Sequence, residues 1–384
     1  MVTASTGEDT SLASVAAETL LAALRGETPS SQSPAVLAEV VARAEAHGVL
    51  EVIAEPLLGS DGLAEKDRDA IARARLLTLA RHLHLVSRLR SLSGALDAAG
   101  VPWAVFKGPV LAVEAYGDPS LRRYGDIDLL VAGGHFGEAV DSLTEAGARL
   151  LDTNWAYQLR AARAEASLLM PGQVHVDLHW HLCNEREARR DTDLPIEAML
   201  ARRRRLTVAS DVDLPVLDRA DTFLATALHA AVNGAYRLLW SKDLERLAAG
   251  ATEEGWGQLV RRCRHGRVAV PVALVLLRSR RLLGAAVPEE VLRALLAGHP
   301  WAELLRRREA AVGPAAIVYQ HGSGRATISV SRDRLWATAR AAHAEIHRRS
   351  QGNGANGEKN PLYASSEDAR ARNEYLAAVA EKRV

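Results

Sequence analysis

Apolar residues recur at helical spacing through the first part of the chain. The pattern predicts helices over residues 11–24, 34–48 and 64–99, and Gly100 ends the last of them. Ser33 is suited to cap the second helix, because its hydroxyl can accept a backbone N–H and the proline that follows needs no N–H partner. The segment is therefore predicted to be entirely helical.

The spacing changes at Val101, where short apolar runs replace the helical period. The predicted elements are strands over 101–106, 126–131, 166–170 and 174–180 and helices over 109–116 and 135–146. Pro171 and Gly172 form a turn signal between the last two strands. This order indicates an α/β or α+β unit of about 80 residues, with a small mixed sheet from 101 to 180.

The helical period returns after Asp221. Helices are predicted over residues 222–235, 238–249, 256–265, 268–283 and 331–348, with another beginning at Pro288. Residues 351–360 are rich in Gly and Asn, which is typical of a linker, and the last helix, near 367–383, is expected to be loosely docked or free.

The fold class that follows is α+β. We expect four parts: an N-terminal helical region at 1–99, an α/β core at 100–218, a C-terminal helical domain at 219–350, and a flexible linker with a terminal helix at 351–384.

Composition narrows the class of protein only slightly. The 384 residues carry a formal net charge of +1, so the overall charge favours neither a nucleic acid nor a membrane as partner. The two cysteines, Cys183 and Cys263, show no metal-finger or C-x-x-C spacing. The N-terminus lacks the pattern of a signal peptide, and no long uncharged apolar run is present, so a cytoplasmic protein is expected.

One of several D-x-D pairs stands out. The pairs are Asp67/Asp69 at a charged helix start, Asp126/Asp128, Asp191/Asp193 in a polar loop, and Asp211/Asp213 at the expected tip of a hairpin. Asp126 and Asp128 open an apolar strand, where residues i and i+2 share a face. Two neighbouring carboxylates repel each other unless a cation joins them, and Mg²⁺ prefers carboxylates together with substrate phosphates. The alternative is a solvated strand end paired with Arg122 or Arg123.

A further acid lies inside another apolar strand, in the sequence Val176-Asp177-Leu178. An acid there is costly unless it is paired or bound to a metal. His175, His179 and His181 alternate onto the same face as Asp177. The alternatives are an Arg partner for Asp177 with solvated histidines, or a His/Asp/His zinc site.

Lys107 and Gly108 lie where a strand turns into a helix. A glycine there lets phosphate oxygens approach the backbone, and the start of the next helix favours anions. The alternative is a plain strand-to-helix turn.

Together these features resemble the DNA polymerase β nucleotidyltransferase superfamily. More closely, FKGPVLAVEAYGDPSLRRYGDIDLLV followed by VHVDLHW is similar to a bacterial family described as uncharacterised nucleotidyltransferases. The matching residues over about 75–250 are Lys107, Gly108, Arg123, Asp126, Asp128, Asp177, His179, Trp180, His229, Arg237, Trp240 and Asp243. The resemblance implies a small mixed-sheet, polymerase β-like nucleotidyltransferase core flanked by N- and C-terminal helical regions.

The chain departs from the superfamily pattern at the glycine turn. The superfamily usually has Gly followed by Gly or Ser, whereas Pro109 follows Gly108 here and Asp126 comes 18 residues after that glycine. Proline has no N–H to donate to a phosphate. The triphosphate is therefore expected to rely more on Lys107, Arg123 and arginines of the helical domain.

The resemblance also implies a reaction. An NTP would give its NMP to a hydroxyl or phosphate of a small-molecule or peptide acceptor and release pyrophosphate. Asp126 and Asp128 would hold two Mg²⁺ or Mn²⁺ ions, with Asp177 sharing a metal or acting as base. The triphosphate would be bound by Lys107, Gly108 and Arg123, and the acceptor by His179, His229, Arg237, Trp240 and Asp243.

Other interpretations stay open. Trp240 could be a core residue, and Asp243 could pair with Arg237 or Arg246 to hold helices together. At the level of function, the alternatives are a toxin that modifies tRNA or protein, or a non-catalytic nucleotide-binding protein with the same fold. Short arginine runs and a near-neutral charge disfavour a large nucleic-acid surface, and no membrane partner is expected.

Overall fold

The structure, a computed structural model, describes residues 7–30, 32–210, 212–319, 327–350 and 368–382. The N-terminal helices are α1 (Gly7–Leu24), α2 (Pro34–His47), α3 (Ala54–Leu58) and α4 (Glu65–Ala98). The Ser33 hydroxyl accepts the N–H of Val36, and Gly48 ends α2 in the left-handed conformation. The helical character predicted for this region is confirmed.

A seven-stranded mixed sheet forms the centre of the molecule. Its strands are β1 (Trp103–Phe106), β2 (Asp126–Val131), β3 (Arg149–Leu150), β4 (Glu165–Met170), β5 (Val174–His179), β6 (Arg204–Ala209) and β7 (Val212–Val216), in the order β3-β4-β5-β2-β1-β7-β6. β2 runs parallel to β5 and antiparallel to β1, and β1 runs parallel to β7. Five short helices connect the strands: α5 (Gly108–Glu114), α6 (Phe136–Glu145), α7 (Trp155–Ala161), α8 (Arg186–Arg189) and α9 (Ile196–Ala201).

The sheet is larger than the predicted one, which ended at residue 180. The expected hairpin is present as β6 and β7, but β7 also pairs with β1 and so extends the sheet to residue 216. Leu214 and Val216 are fully buried in that position. Their apolar side chains fit an interior position beside β1, which a local hairpin signal does not reveal.

The C-terminal helices pack on the sheet and on one another. They are α10 (Arg219–Val232), α11 (Leu238–Ala249), α12 (Glu253–His265), α13 (Ala269–Leu283), α14 (Glu289–Leu296), α15 (Ala302–Ala310), α16 (Pro314–Val318) and α17 (Leu335–Ser350). Leu238 of α11 and Leu282 of α13 share a buried core with α1–α3. The helical regions at the two ends of the sequence therefore join in one core. Among the described helices, none is long and apolar enough to cross a membrane.

The terminal helix α18 (Ala369–Ala380) is docked, so the expectation of a loose or free helix is wrong. Tyr375 is fully buried beside Phe136 and Trp155, and its hydroxyl donates to the carbonyl of Arg163. A side chain at Gly133 would clash with the α18 backbone at 2.9 Å, so this glycine permits the close approach. The predicted linker, 351–360, lies outside the described residues.

Candidate active site

The three candidate acids lie on one face of the sheet. Asp126 and Asp128 are two residues apart on β2, and Asp128 is in register with Asp177 on the parallel strand β5. Ile127 and Leu129 point to the opposite face and are fully buried. The period of two therefore aligns the three carboxylates along the centre of the sheet.

Lys107 brings a positive charge to this face. Its Nζ lies 2.7 Å from Asp128 Oδ1. Lys107 follows β1 with a φ of 62°, a conformation that costs a non-glycine residue about 1–3 kcal/mol. At Gly108, whose φ is 27°, a side chain would press on Tyr124 and on the carbonyl of Asp126. Backbone strain is thus concentrated where the lysine meets the acids.

His179 and Glu165 extend the polar network. His179 Nε2 lies 3.2 Å from Asp128 Oδ1, and its Nδ1 lies 3.5 Å from Glu165 Oε2. Asn184 donates to the same Glu165 oxygen at 2.9 Å. Glu165, which the sequence interpretation missed, opens β4 opposite His179 in the register. The sequence feature that could have indicated Glu165 is an acid at the start of a strand in which buried and partly exposed residues alternate, as Asp126 is an acid at the start of β2.

The acids differ in their protonation behaviour. Burial opposes ionisation of Asp128, but the charge of Lys107 and the hydrogen bond from His179 outweigh it and hold its pKa well below the usual range. Burial raises the pKa of Asp126, and the charge of Asp128 raises it further. Burial also raises the pKa of Asp177, although the Ser167 hydroxyl donates to its Oδ1 at 2.7 Å. The Lys107 ammonium therefore compensates Asp128 directly, whereas the pKa values of Asp126 and Asp177 stay raised.

The donor set suits a divalent cation in kind, because carboxylate oxygens are the ligands that Mg²⁺ and Mn²⁺ prefer. Within the described part of the chain, no group of three or more His, Cys, Asp or Glu side chains converges closely enough to hold a metal ion as it stands. The Lys107 ammonium instead takes the place of a cation beside Asp128.

His229 contacts Lys107 from the helical side of the cavity. The Lys107 ammonium donates to His229 Nδ1 at 3.4 Å. Burial and the charge of Lys107 lower the pKa of His229 well below its usual value, so the ring is neutral and can accept this hydrogen bond. The Trp240 ring and the same imidazole pack in a T-shaped arrangement, with 5.1 Å between ring centroids.

Arg123 and Asp243, which were expected to bind ligands, form ion pairs that join distant parts of the chain. Arg123 donates to Glu45 at 2.7 Å and to Glu51 at 2.8 Å, so its guanidinium ties the loop before β2 to the N-terminal helices. Asp243 accepts two hydrogen bonds from Arg122, each 2.8 Å long. The structural interpretation of Asp243 is thus the one observed, but with Arg122 as the partner in place of Arg237 or Arg246.

All predicted site residues line one cavity of about 1330 Å³. Arg237 is exposed on its helical wall and has no ion-pair or hydrogen-bond partner for its side chain among the described residues.

The wall of the cavity also includes residues that the sequence interpretation missed: Asp191, Arg332, Arg340, Ala341 and Ala344. Arg340 on α17 binds Asp191 with both contacts under 2.8 Å. Nothing local in the sequence pairs these two residues, which are far apart in the chain.

Acids beside a lysine and a strained glycine turn suit enzymes that transfer phosphoryl or nucleotidyl groups, because such reactions depend on positioning and on stabilising phosphate charge. Comparison with protein families agrees with this class. The family described as uncharacterised nucleotidyltransferase matches residues 34–284, from the start of α2 to the glycine after α13, and the chain belongs to that family. No curated protein sequence matches the chain.

Proposed function

We propose that this chain transfers a nucleoside monophosphate from an NTP to a hydroxyl of a small-molecule or peptide acceptor. The observation that carries the proposal is the alignment of Asp128 with Asp177 across parallel strands, with Asp126 on the same face and Lys107 in contact. A polymerase β-like ancestry of the core is part of the proposal.

In the reaction, the acceptor oxygen forms a bond to the α-phosphorus of the NTP. The bond from that phosphorus to the α–β bridging oxygen breaks, and pyrophosphate leaves with the bond electrons. The acceptor proton passes to a base. Where it does not ligate a metal, Asp177 is suited to this role, because it lies on the same face of the sheet as Asp126 and Asp128.

Asp126 and Asp128 are the residues that would hold two Mg²⁺ or Mn²⁺ ions, and Asp177 would either share one of these ions or act as the base. Such ions supply charge stabilisation at the attacking and leaving oxygens and lower the pKa of the acceptor hydroxyl. Lys107 would then exchange its contact with Asp128 for a phosphate oxygen. His229 accepts a hydrogen bond from Lys107 and would keep this bond while the ammonium moves from Asp128 to the phosphate.

The triphosphate also needs cationic partners beyond Lys107. Arg123 is held by Glu45 and Glu51, so we assign it to positioning the loop that leads to Asp126. Arg237 is the better candidate, because it faces the cavity without a protein partner in the described part of the chain. The cavity exceeds the usual range of about 300–1,000 Å³ for a ligand pocket, which leaves room for an acceptor beside the nucleotide.

The test is incubation with each labelled NTP, Mg²⁺ and cell extract, followed by mass spectrometry of the labelled products. Asp128→Asn is expected to lower labelling by about 10²-fold or more, because it removes a charge-stabilising group. Asp213→Asn is the matched control, since Asp213 lies on the same sheet but is exposed and paired with Arg205. Nucleotide binding without labelling for any NTP would favour a non-catalytic binding protein instead.

A further inference from the structure

Helix α13 carries a charged side chain deep inside the protein. The Arg278 side chain is 1% exposed, and Glu309 of α15 is fully buried. The Nε and Nη2 groups of Arg278 donate to the two carboxylate oxygens of Glu309, each at 2.6 Å. A buried pair of this kind adds little net stability over apolar side chains of similar size, because both charges lose their contact with water. Stability alone therefore does not account for a charged pair at this position.

The rest of the Arg278 guanidinium binds the turn between α10 and α11. Its Nη1 group donates to the carbonyl of Gly234 at 3.1 Å and to the carbonyl of Ala235 at 2.9 Å. Both residues have a positive φ, 73° at Gly234 and 46° at Ala235, and this conformation is uncommon for a residue with a Cβ. An apolar side chain at position 278 would leave the two carbonyls without this donor. Arg278 therefore holds the turn in its strained conformation.

A second buried side chain holds the far end of the turn. The N–H of Leu238 donates to Nδ1 of His47 at 3.2 Å, and the other ring nitrogen of His47 donates to a carbonyl of α16 at 2.8 Å. His47 is fully buried. Only two residues, Tyr236 and Arg237, lie between the carbonyl of Ala235 and the N–H of Leu238. The backbone of Arg237 is therefore fixed on both sides.

The fixed backbone presents Arg237 to the cavity. Its side chain is exposed there and has no ion-pair or hydrogen-bond partner in the part of the chain that the structure describes. Lys107 lines the same cavity. A guanidinium binds phosphate oxygens through two parallel N–H groups, and this geometry demands an accurate position. A backbone that is already fixed lowers the entropy that is lost when the arginine binds its ligand.

We propose that the Arg278–Glu309 pair is a positioning device for the candidate active site: Arg278 holds the turn at 234–237 so that Arg237 is placed to bind a triphosphate. Glu309 fixes the Arg278 guanidinium so that its Nη1 group points at the turn. Arg278 and Glu309 are not among the residues that line the cavity, so they act through Arg237 and not on the ligand. The proposal rests on the proposed function, which assigns triphosphate binding to Arg237, but it is measured through binding and needs no turnover.

The test measures binding of inorganic tripolyphosphate with Mg²⁺ by calorimetry, because tripolyphosphate carries the anionic group that all NTPs share. Arg237→Ala is expected to weaken binding about tenfold or more, since it removes charge-assisted hydrogen bonds. Arg278→Met combined with Glu309→Leu should weaken binding by a similar factor. This pair of substitutions leaves no buried charge, so the fold should be kept.

A variant with all three substitutions separates positioning from a general effect on structure. If Arg278 acts through Arg237, the triple variant should bind tripolyphosphate no more weakly than Arg237→Ala alone, because the two effects are then not independent. Arg280→Met combined with Glu289→Leu is the matched control, since this ion pair also starts on α13 but is exposed on both sides. The control should leave the affinity unchanged.

A milder substitution gives a second measurement. Arg278→Lys keeps a positive charge beside Glu309, but an ammonium lacks the planar fork that reaches the carboxylate and both carbonyls together. It should lower the affinity for tripolyphosphate. Hydrogen exchange of the backbone amides at 236–239 should also be faster in Arg278→Lys than in the wild type, and unchanged in Arg280→Lys.

Normal tripolyphosphate affinity in both Arg278 variants overturns the proposal, as does a triple variant whose loss equals the product of the two separate losses. A wild-type protein that does not bind tripolyphosphate also overturns it, because Arg237 then has no triphosphate to bind. The proposed function fails separately. Tripolyphosphate binding that depends on Arg237 and Arg278, without labelling by any NTP, would remove nucleotidyl transfer and leave the positioning role in place. Labelling with an unchanged KM for NTP in both Arg278 variants would do the reverse.

Discussion

Replacing Asp243 by Ala is expected to destabilise the protein strongly. Its side chain is 1% exposed and accepts three hydrogen bonds, two from Arg122 and one from the hydroxyl of Tyr116 at 2.9 Å. Without Asp243, the Arg122 guanidinium would stay buried with no counter-charge. Breaking a buried pair in this way typically costs about 3–5 kcal/mol in the free energy of unfolding.

The measurement is urea unfolding, followed by tryptophan fluorescence and circular dichroism. Asp243→Asn should cost less than Asp243→Ala, because the amide keeps one hydrogen-bond acceptor. Asp213→Ala should change the unfolding free energy by less than about 1 kcal/mol, since the Arg205–Asp213 pair is about half exposed on both sides. Arg122→Met combined with Asp243→Leu should recover most of the loss, because no charge is then left buried.

The Asp243→Ala variant also tests the role of Asp243 in the site. Arg122 donates to the carbonyl of Gly108 at 3.3 Å, so its pair with Asp243 fixes the turn that precedes α5. Loss of the pair should therefore lower both stability and nucleotide binding. An Asp243→Ala protein of normal stability that fails only in transfer to the acceptor would refute this reasoning and return Asp243 to the acceptor site.

Three further predictions follow from single side chains. Lys107→Ala should raise the apparent KM for NTP more than it lowers kcat, whereas Lys382→Ala should change neither. In urea unfolding, Lys107→Gly should unfold at a higher urea concentration than Lys107→Ala, because glycine relieves about 1–3 kcal/mol of strain at the positive φ. Burial lowers the pKa of His181 to about 3, so between pH 6.5 and 3 the unfolded state binds more protons than the folded state, and stability decreases as the pH is lowered. Urea titrations should show that the free energy of unfolding drops by about 2 kcal/mol from pH 7 to pH 5, and this loss should be absent in His181→Gln. Tyr375→Ala should lower the unfolding free energy by about 3–5 kcal/mol and Arg370→Ala by less than about 0.5, and equal effects would refute the docking of α18.

Much of the arrangement on the sheet was predictable from the sequence, because it depends on local periodicity. The period of two places Asp126 and Asp128 on one face, and Asp177 inside an apolar strand needed a polar environment. Neither argument requires knowledge of which strands pair. The register of Asp128 with Asp177, by contrast, follows from the parallel pairing of β2 with β5.

The partners of the charged residues were not predictable. Arg122 and Arg123 are neighbours in the sequence, yet one binds Asp243 and the other binds Glu45 and Glu51. On an extended segment, adjacent side chains point to opposite sides, so each arginine meets a different set of helices. Which helices those are depends on packing between distant parts of the chain, which local patterns do not contain.

The docking of α18 was missed for a related reason. A glycine-rich segment before a terminal helix suggests independence, and that signal outweighed the helix's own composition. The decisive features lie elsewhere in the chain: Gly133 gives the backbone room, and Trp180 donates to the Tyr375 hydroxyl at 3.1 Å. A single tyrosine in a polar helix carries little information until its pocket is known.

Pro109 stands where the superfamily pattern has Gly or Ser, and the structure of the turn explains why a proline is tolerated there. Proline at the start of α5 costs nothing there, because the first N–H groups of a helix have no internal partner, but it offers no N–H to a phosphate. Binding of a phosphate by backbone N–H groups would therefore be weaker at this turn. Lys107, held at a strained φ directly before the turn, places its ammonium beside Asp128. A flexible side-chain cation can bind Asp128 or a phosphate in turn, which fixed backbone donors cannot do. Under the proposed function, the strain at Lys107 is the cost of binding the phosphate through a side chain instead of through the backbone.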